Sequence, residues 1–189
     1  MSKRQKSQRF VSRGGDKLDG ALEDLGVDVA GKIVADLGAN VGGFTDCLLQ
    51  RGAKRVYAVE TGYGVLEWKL RQDERVEVLE RTNALHVTLP ELVDLVVLDV
   101  GWTPLGYILP RAVSLICQDG QVVGLLKPQY EAEADELDGG VVRPECLQQV
   151  VYRVVAGIQK GEIRVQLQVA SRVKGSGGNQ EVFLLVEKV

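Results

Sequence analysis

The chain reads as a doubly wound α/β sandwich on a seven-stranded, mostly parallel sheet with an antiparallel pair at its C-terminal edge. Three observations predict this class. Strand-sized apolar runs alternate with helical patterns from residue 32 to about residue 160. A glycine-rich turn joins the first of these strands to the helix that follows it. Two alternating segments, Ile163–Val173 and Glu181–Val189, close the chain around Lys174-Gly-Ser-Gly-Gly-Asn179, as a hairpin does.

Residues 1–12 are expected to form a flexible basic arm ahead of one domain, 13–189. Leu18, Ala21, Leu22 and Leu25 make an i, i+3/i+4, i+7 stripe over Gly15–Leu25, and Gly26 is placed to end that helix. Lys32-Ile-Val-Ala-Asp36 is the first strand, and Thr45–Arg51 is a helix that stops at Gly52. Arg55–Glu60 is the second strand, Val65–Arg71 a short helix and Arg75–Leu79 the third strand. Asp94-Leu-Val-Val-Leu-Asp99 is a continuous apolar run, the pattern of a central parallel strand buried on both faces. A helix over 105–117 and a fifth strand, Gln121–Leu126, follow. The acid- and glycine-rich stretch 130–143 reads as a mobile loop, and Pro144 as the first turn of a helix reaching about Lys160.

With 189 residues, 45% hydrophobic and 26% charged, the composition is that of an ordinary globular domain. Its apolar runs are strand-sized, too short for a membrane span, and the basic N-terminus lacks a signal-peptide core. Cys47, Cys117 and Cys146 are odd in number and scattered, which points to reduced thiols in the cytoplasm and to no metal site. His86 is the single histidine, leaving little material for a Ser–His triad; it reads as a surface or loop residue. Net charge is −3, yet residues 1–17 carry six bases against Asp16, a local +5 on a body of −8. A basic arm on an acidic body is a footprint of phosphate contact, or equally of a solvated start.

The chemistry concentrates at Asp36-Leu-Gly-Ala-Asn-Val-Gly-Gly-Phe44. Gly38, Gly42 and Gly43 allow positive φ or close approach to a ligand. The spacing departs from the G-x-G-x-x-G of a pyrophosphate turn, and an acid before a looser glycine turn suits S-adenosylmethionine. Glu60, 24 residues beyond Asp36 at the end of the second strand, is placed to accept hydrogen bonds from ribose hydroxyls. Asn83 is placed either to meet the adenine edge or to cap a turn. Asp99 and Lys127 end adjacent strands on the rim where ligands bind in such sheets. A lysine acts as a base only with a neutral amine, which burial and a neighbouring ammonium both favour. Lys17 is a candidate for that second ammonium, with Asp99 and Glu181 to orient the pair.

Phe10-Val-Ser-Arg-Gly-Gly-Asp-Lys-Leu18, the Asp36–Glu60 run, Gly62-Tyr-Gly64, Trp68-Lys-Leu-Arg71, Arg81-Thr-Asn83 and Lys127-Pro-Gln-Tyr-Glu131 together resemble the TlyA-type family. Its members are often labelled hemolysins and belong with the FtsJ-like ribose 2′-O-methyltransferases. The resemblance covers Phe10 to Val189 and implies a Rossmann-like class I methyltransferase sandwich. It also implies an S-adenosylmethionine-dependent enzyme that methylates ribose 2′-hydroxyls of ribosomal RNA or ribosomal subunits in the cytoplasm. By motif position it assigns a catalytic set of Lys17, Asp99, Lys127 and Glu181, with Lys127 as proton acceptor. Cofactor contacts fall on Asp36, Gly38, Ala39, Gly42, Gly43, Phe44, Glu60, Asn83 and Asp99, and RNA contacts on Arg4, Arg9, Arg13 and Arg143.

Two departures stand out. Family members usually carry a small RNA-binding domain ahead of Phe-Val-Ser-Arg, where this sequence has a short basic arm; it is expected to be either one domain of a longer protein or a shorter relative. The family's Asp-Val-Ser-Phe-Ile-Ser-Leu is here Asp99-Val-Gly-Trp-Thr-Pro-Leu105. Trp102 is expected to take a core phenylalanine's place, with base stacking as the alternative. Rival functions are a small-molecule or protein methyltransferase, a non-catalytic RNA- or ribosome-binding module and a membrane-active hemolysin. The last would need a basic amphipathic helix that the sequence does not offer. Neither membrane nor metal is expected as a partner, and the oligomeric state is left open.

Overall fold

The computed structural model describes residues 9–159 and 163–189. Seven strands form one sheet in the order β3-β2-β1-β4-β5-β9-β8, and a separate two-stranded ladder, β6-β7, lies outside it. The parallel strands are β1 (Ile33–Leu37), β2 (Arg55–Val59), β3 (Val76–Leu79), β4 (Val93–Leu98) and β5 (Ile116–Leu126). β9 (Val182–Lys188) runs antiparallel between β5 and the edge strand β8 (Ile163–Ala170). Alternate residues of the central strands feed two cores. Val34, Val56, Leu95, Val97 and Val123 pack with α1 (Arg13–Leu25) and α2 (Gly43–Gln50). Ala35, Tyr57, Val96, Leu98 and Val122 pack with α4 (Leu105–Leu115) and α5 (Leu147–Ile158). Burial on both faces is why β4 reads as an unbroken apolar run.

The differences from the expected elements have local causes. β5 starts at Ile116 because its first residues continue past an irregularity in the β4 register, which shortens the helix before it to Leu115. α3 is a single turn, Trp68–Arg71. Pro144 precedes α5 by three positions, and Lys160, the expected helix end, lies outside the described residues. The stretch 130–143 is built rather than loose. It holds 3-10 turns at Pro128–Tyr130 and Ala134–Glu136, then the hairpin β6 (Leu137–Asp138) and β7 (Val141–Val142). Side chains far along the chain hold it: Arg153 donates to both Glu136 carboxylate oxygens at 2.9 and 2.7 Å. Of the expected arm, residues 1–8 lie outside the described residues, while Phe10 is buried and the Val11 N–H donates to Asp46 at 2.9 Å. Among the described residues no helix is long and apolar enough to cross a membrane, and no group of three His, Cys, Asp or Glu is placed to hold a metal ion.

Candidate active site

Two cavities open at the carboxyl ends of the parallel strands and meet at Gly38, Asn40, Asp99 and Gly101, making one cleft. The first, about 350 Å³, is lined by Glu60, Thr82, Asn83, Trp102 and neighbours. The second, about 340 Å³, is lined by Arg13, Lys17, Ala39, Gly43, Phe44 and Lys127 among others. A larger cavity of about 660 Å³ lies between α5 and β8, and no predicted site residue lines it.

The cleft exists because the backbone can bend where side chains could not. Gly38 has φ +91°, and a Cβ there would lie 2.6 Å from the Asp99 carbonyl oxygen, so the turn after β1 presses against the chain leaving β4. A Cβ on Gly43 would lie 2.1 Å from Ser12 Oγ, so α2 starts against the start of α1 and brings Lys17 to the cleft. Asn40, unremarked in the sequence, takes φ 49° and donates its backbone N–H to Glu60 at 2.9 Å. Asn and Asp tolerate this left-handed region better than other side chains, which was the available signal.

Lys17, Asp99 and Lys127 line this cleft, while Glu181 is buried behind Lys17 and lines neither cavity. Lys17 Nζ donates to Glu181 Oε2 at 2.5 Å, linking α1 to the start of β9. Lys127 Nζ lies 2.6 Å from Asp99 Oδ1 and donates to the Val100 carbonyl at 3.2 Å. The Lys127–Asp99 pair is a close charge contact that ties the residue after β5 to the residue after β4. All four side chains are largely shielded, the most exposed being Asp99 at 25%.

Asp36 lines neither cavity. It is fully buried inside β1, and Thr45 Oγ1 donates to its Oδ2 at 2.7 Å while Oδ1 has no partner. Burial, aided by the charges of Asp99 and Glu60, pushes its carboxyl up to about 7 against the pull of the Thr45 hydrogen bonds. Gly42 also stays out of the cleft, with φ +100° at the N-cap of α2. Glu60 and Asn83 do line it, although Asn83 Oδ1 also accepts from the Leu85 N–H at 2.9 Å in a turn. Arg13 lines the cleft, whereas Arg9 pairs with Asp19 and Arg143 is exposed beside the β6-β7 hairpin. Arg4 lies outside the described residues. Trp102 is not in the core: it is 85% exposed, with φ 63°, and its ring lies 5.1 Å from that of Tyr130. An apolar neighbourhood in sequence pointed inward, but the chain leaving β4 has already passed the end of the sheet.

Residues 10–188 match the FtsJ-like methyltransferase family. The chain belongs to that family. It is 45% identical over 182 residues to the 16S/23S rRNA (cytidine-2′-O)-methyltransferase TlyA of Mycobacterium tuberculosis, covering 93% of this chain and 67% of that protein. It is 42% identical over 183 residues to YqxC of Bacillus subtilis, provisionally named an rRNA methyltransferase, covering 93% and 65%. Among solved structures, one from Streptococcus thermophilus with a provisional hemolysin label superposes with a TM-score of 0.91 at 38% identity, covering 99% of this chain and 70% of that one. The chain thus spans about two thirds of the length of these curated relatives. Sheet order and the antiparallel C-terminal pair are those of an α/β methyltransferase fold.

S-adenosylmethionine fits the residues present. The Gly38 turn leaves backbone close to the cleft where a Cβ would strike the chain after β4. Glu60 offers a carboxylate at the end of β2, and Asp99 lines both cavities where they meet.

Proposed function

We propose that this chain is an S-adenosylmethionine-dependent RNA ribose 2′-O-methyltransferase acting on ribosomal RNA in the cytoplasm. The observation that carries the reading is the meeting of two lysine–carboxylate pairs at the cleft beside the Gly38 turn. When bound, the cofactor supplies a methyl group already activated on a sulfonium. Gly38, Ala39 and Gly43 would give it a close backbone bed, Phe44 an apolar wall, Glu60 acceptors for its ribose and Asn83 contacts at its base edge. Asp36 supports that bed from behind by holding Thr45 at the start of α2. Gly42 sets the entry of that helix.

Lys127 Nζ would take the proton of the 2′-hydroxyl. Asp99 fixes the position of the Lys127 side chain, while Lys17, held by Glu181, lines the same cavity. Holding hydroxyl and proton acceptor in line accounts for most of the remaining rate. Arg13, at the mouth, suits a backbone phosphate, and Arg4, Arg9 and Arg143 are proposed as further phosphate contacts on the basis of the sequence. The exposed rings of Trp102 and Tyr130 offer a stacking surface beside Lys127. The name of the mycobacterial relative makes cytidine 2′-hydroxyls of 16S and 23S rRNA the first substrates to try.

The test is tritiated methyl transfer from S-adenosylmethionine to ribosomal RNA from cells lacking this protein, with the modified ribose mapped. Lys127→Ala should abolish transfer and leave cofactor binding unchanged by calorimetry. Retained transfer would remove Lys127 from its role, and absent cofactor binding in the wild type would refute the reading altogether.

A further inference from the structure

The two lysine–carboxylate pairs are joined by a brace that none of the motifs announces. The chain leaving Lys127 runs through the two 3-10 turns and the β6-β7 hairpin before it enters α5. It is pinned at each stage. Glu131 Oε1 accepts the Leu105 N–H at 2.7 Å, which caps the start of α4. Glu136 is gripped by Arg153 on α5, and its carbonyl accepts the Arg143 N–H at 2.9 Å. At the hairpin the last pin is Asn179, which is 3% exposed. Its Oδ1 accepts the Val142 N–H at 3.0 Å and its Nδ2 donates to the Gly140 carbonyl at 3.1 Å.

Asn179 lies two residues before Glu181. Its own carbonyl accepts the Gly175 N–H at 2.9 Å, which closes the turn between β8 and β9. Gly175 stands against the Glu181 carboxylate so closely that a Cβ there would lie 2.2 Å from Oε1. The turn is therefore a wall behind Glu181, and the hairpin seats the turn. Gly177 and Gly178 have no side chains with which to pack that turn, so its place depends on what holds it from outside.

We propose that Asn179 is a positioning residue that acts through Glu181, and through it on Lys17, by locking the turn before β9 to the brace that begins at Lys127. The proposal rests on the methyl-transfer reading. The carboxamide is suited to the task because one face must accept an N–H while the other donates to a carbonyl. Alanine does neither and strands two backbone groups, and aspartate sets a carboxylate against the Gly140 carbonyl.

A double-mutant cycle with Asn179→Ala and Glu181→Ala tests it, using single-turnover methyl transfer to ribosomal RNA from cells lacking this protein. Asn179→Ala should lower the rate at saturating RNA about tenfold, the scale of a small misplacement of reacting groups, with KM and cofactor affinity within about twofold of wild type. In the Glu181→Ala background the same change should cost nothing further. Hydrogen exchange should show the Val142 and Gly175 amides losing protection in Asn179→Ala. Asn179→Ser, which can still reach one partner, serves if the alanine variant folds poorly, and should show the same non-additivity with a smaller loss. An active wild type with equal losses in both backgrounds, or no loss from Asn179→Ala, overturns the positioning role alone. A wild type that transfers no methyl group overturns the functional reading and the positioning role with it.

Discussion

Asp36→Asn gives the sharpest test of the electrostatics behind the cleft. The carboxyl is buried within β1, with one oxygen bonded to Thr45 and the other without a partner, and its pKa is raised from 3.8 to about 7. Because the folded protein holds this proton more tightly than the unfolded chain, stability falls as pH rises between the two values. The shift of roughly three pKa units, at about 1.4 kcal/mol each, amounts to about 4 kcal/mol by the time both states are ionised. Asparagine keeps an acceptor for the Thr45 hydroxyl and cannot ionise. Urea unfolding of both proteins from about pH 4 to about pH 8 isolates the effect, since other groups cancel in the difference. Wild type and variant should be of similar stability near pH 4, and the variant should gain through pH 7, reaching roughly 4 kcal/mol near pH 8. A difference that stays flat over that range would mean that Asp36 is ionised throughout, and the burial argument would fail.

Two further substitutions probe the cleft and its mouth. Gly38→Ala forces a Cβ into the Asp99 carbonyl at a positive φ, and should cost about 1–3 kcal/mol in urea unfolding and weaken S-adenosylmethionine binding by calorimetry; unchanged affinity would show that the turn does not shape the cofactor bed. Arg13→Gln should weaken RNA binding at all sequences alike and lower the slope of log affinity against log salt by about 1. An unchanged slope would take Arg13 off the phosphate path.

The parts of the site legible in the sequence are those set by local rules. Gly38 and Gly43 declared a close approach, and Glu60, Asp99 and Lys127 each fall next to a strand end because an apolar run stops beside them. Asp36 shows the limit of that logic. It also stands near a strand end, but β1 continues through Leu37, so residue 36 stays in the ladder opposite Ala58 and Val97 and its side chain turns under α2. The brace was illegible for a different reason. Acids and glycines over 130–143 carry no period, and what orders them is Arg153 on α5, the Leu105 amide on α4 and Asn179 beyond β8. Trp102 misled because its hydrophobicity reads the same whether it fills a core or lies on a rim.

Stability does not explain why these two ion pairs are kept. Lys17–Glu181 and Lys127–Asp99 are both mostly withdrawn from water, where desolvation offsets much of the Coulomb attraction and apolar residues of similar size often hold a fold as well. A pair needed for folding could sit anywhere in the core. Here Lys17, Asp99 and Lys127 line one cleft, and the pairs tie α1 to the start of β9 and the end of β5 to the end of β4. Withdrawn from water, such pairs add little to stability but do hold charge in position, which is what the proposed proton transfer requires.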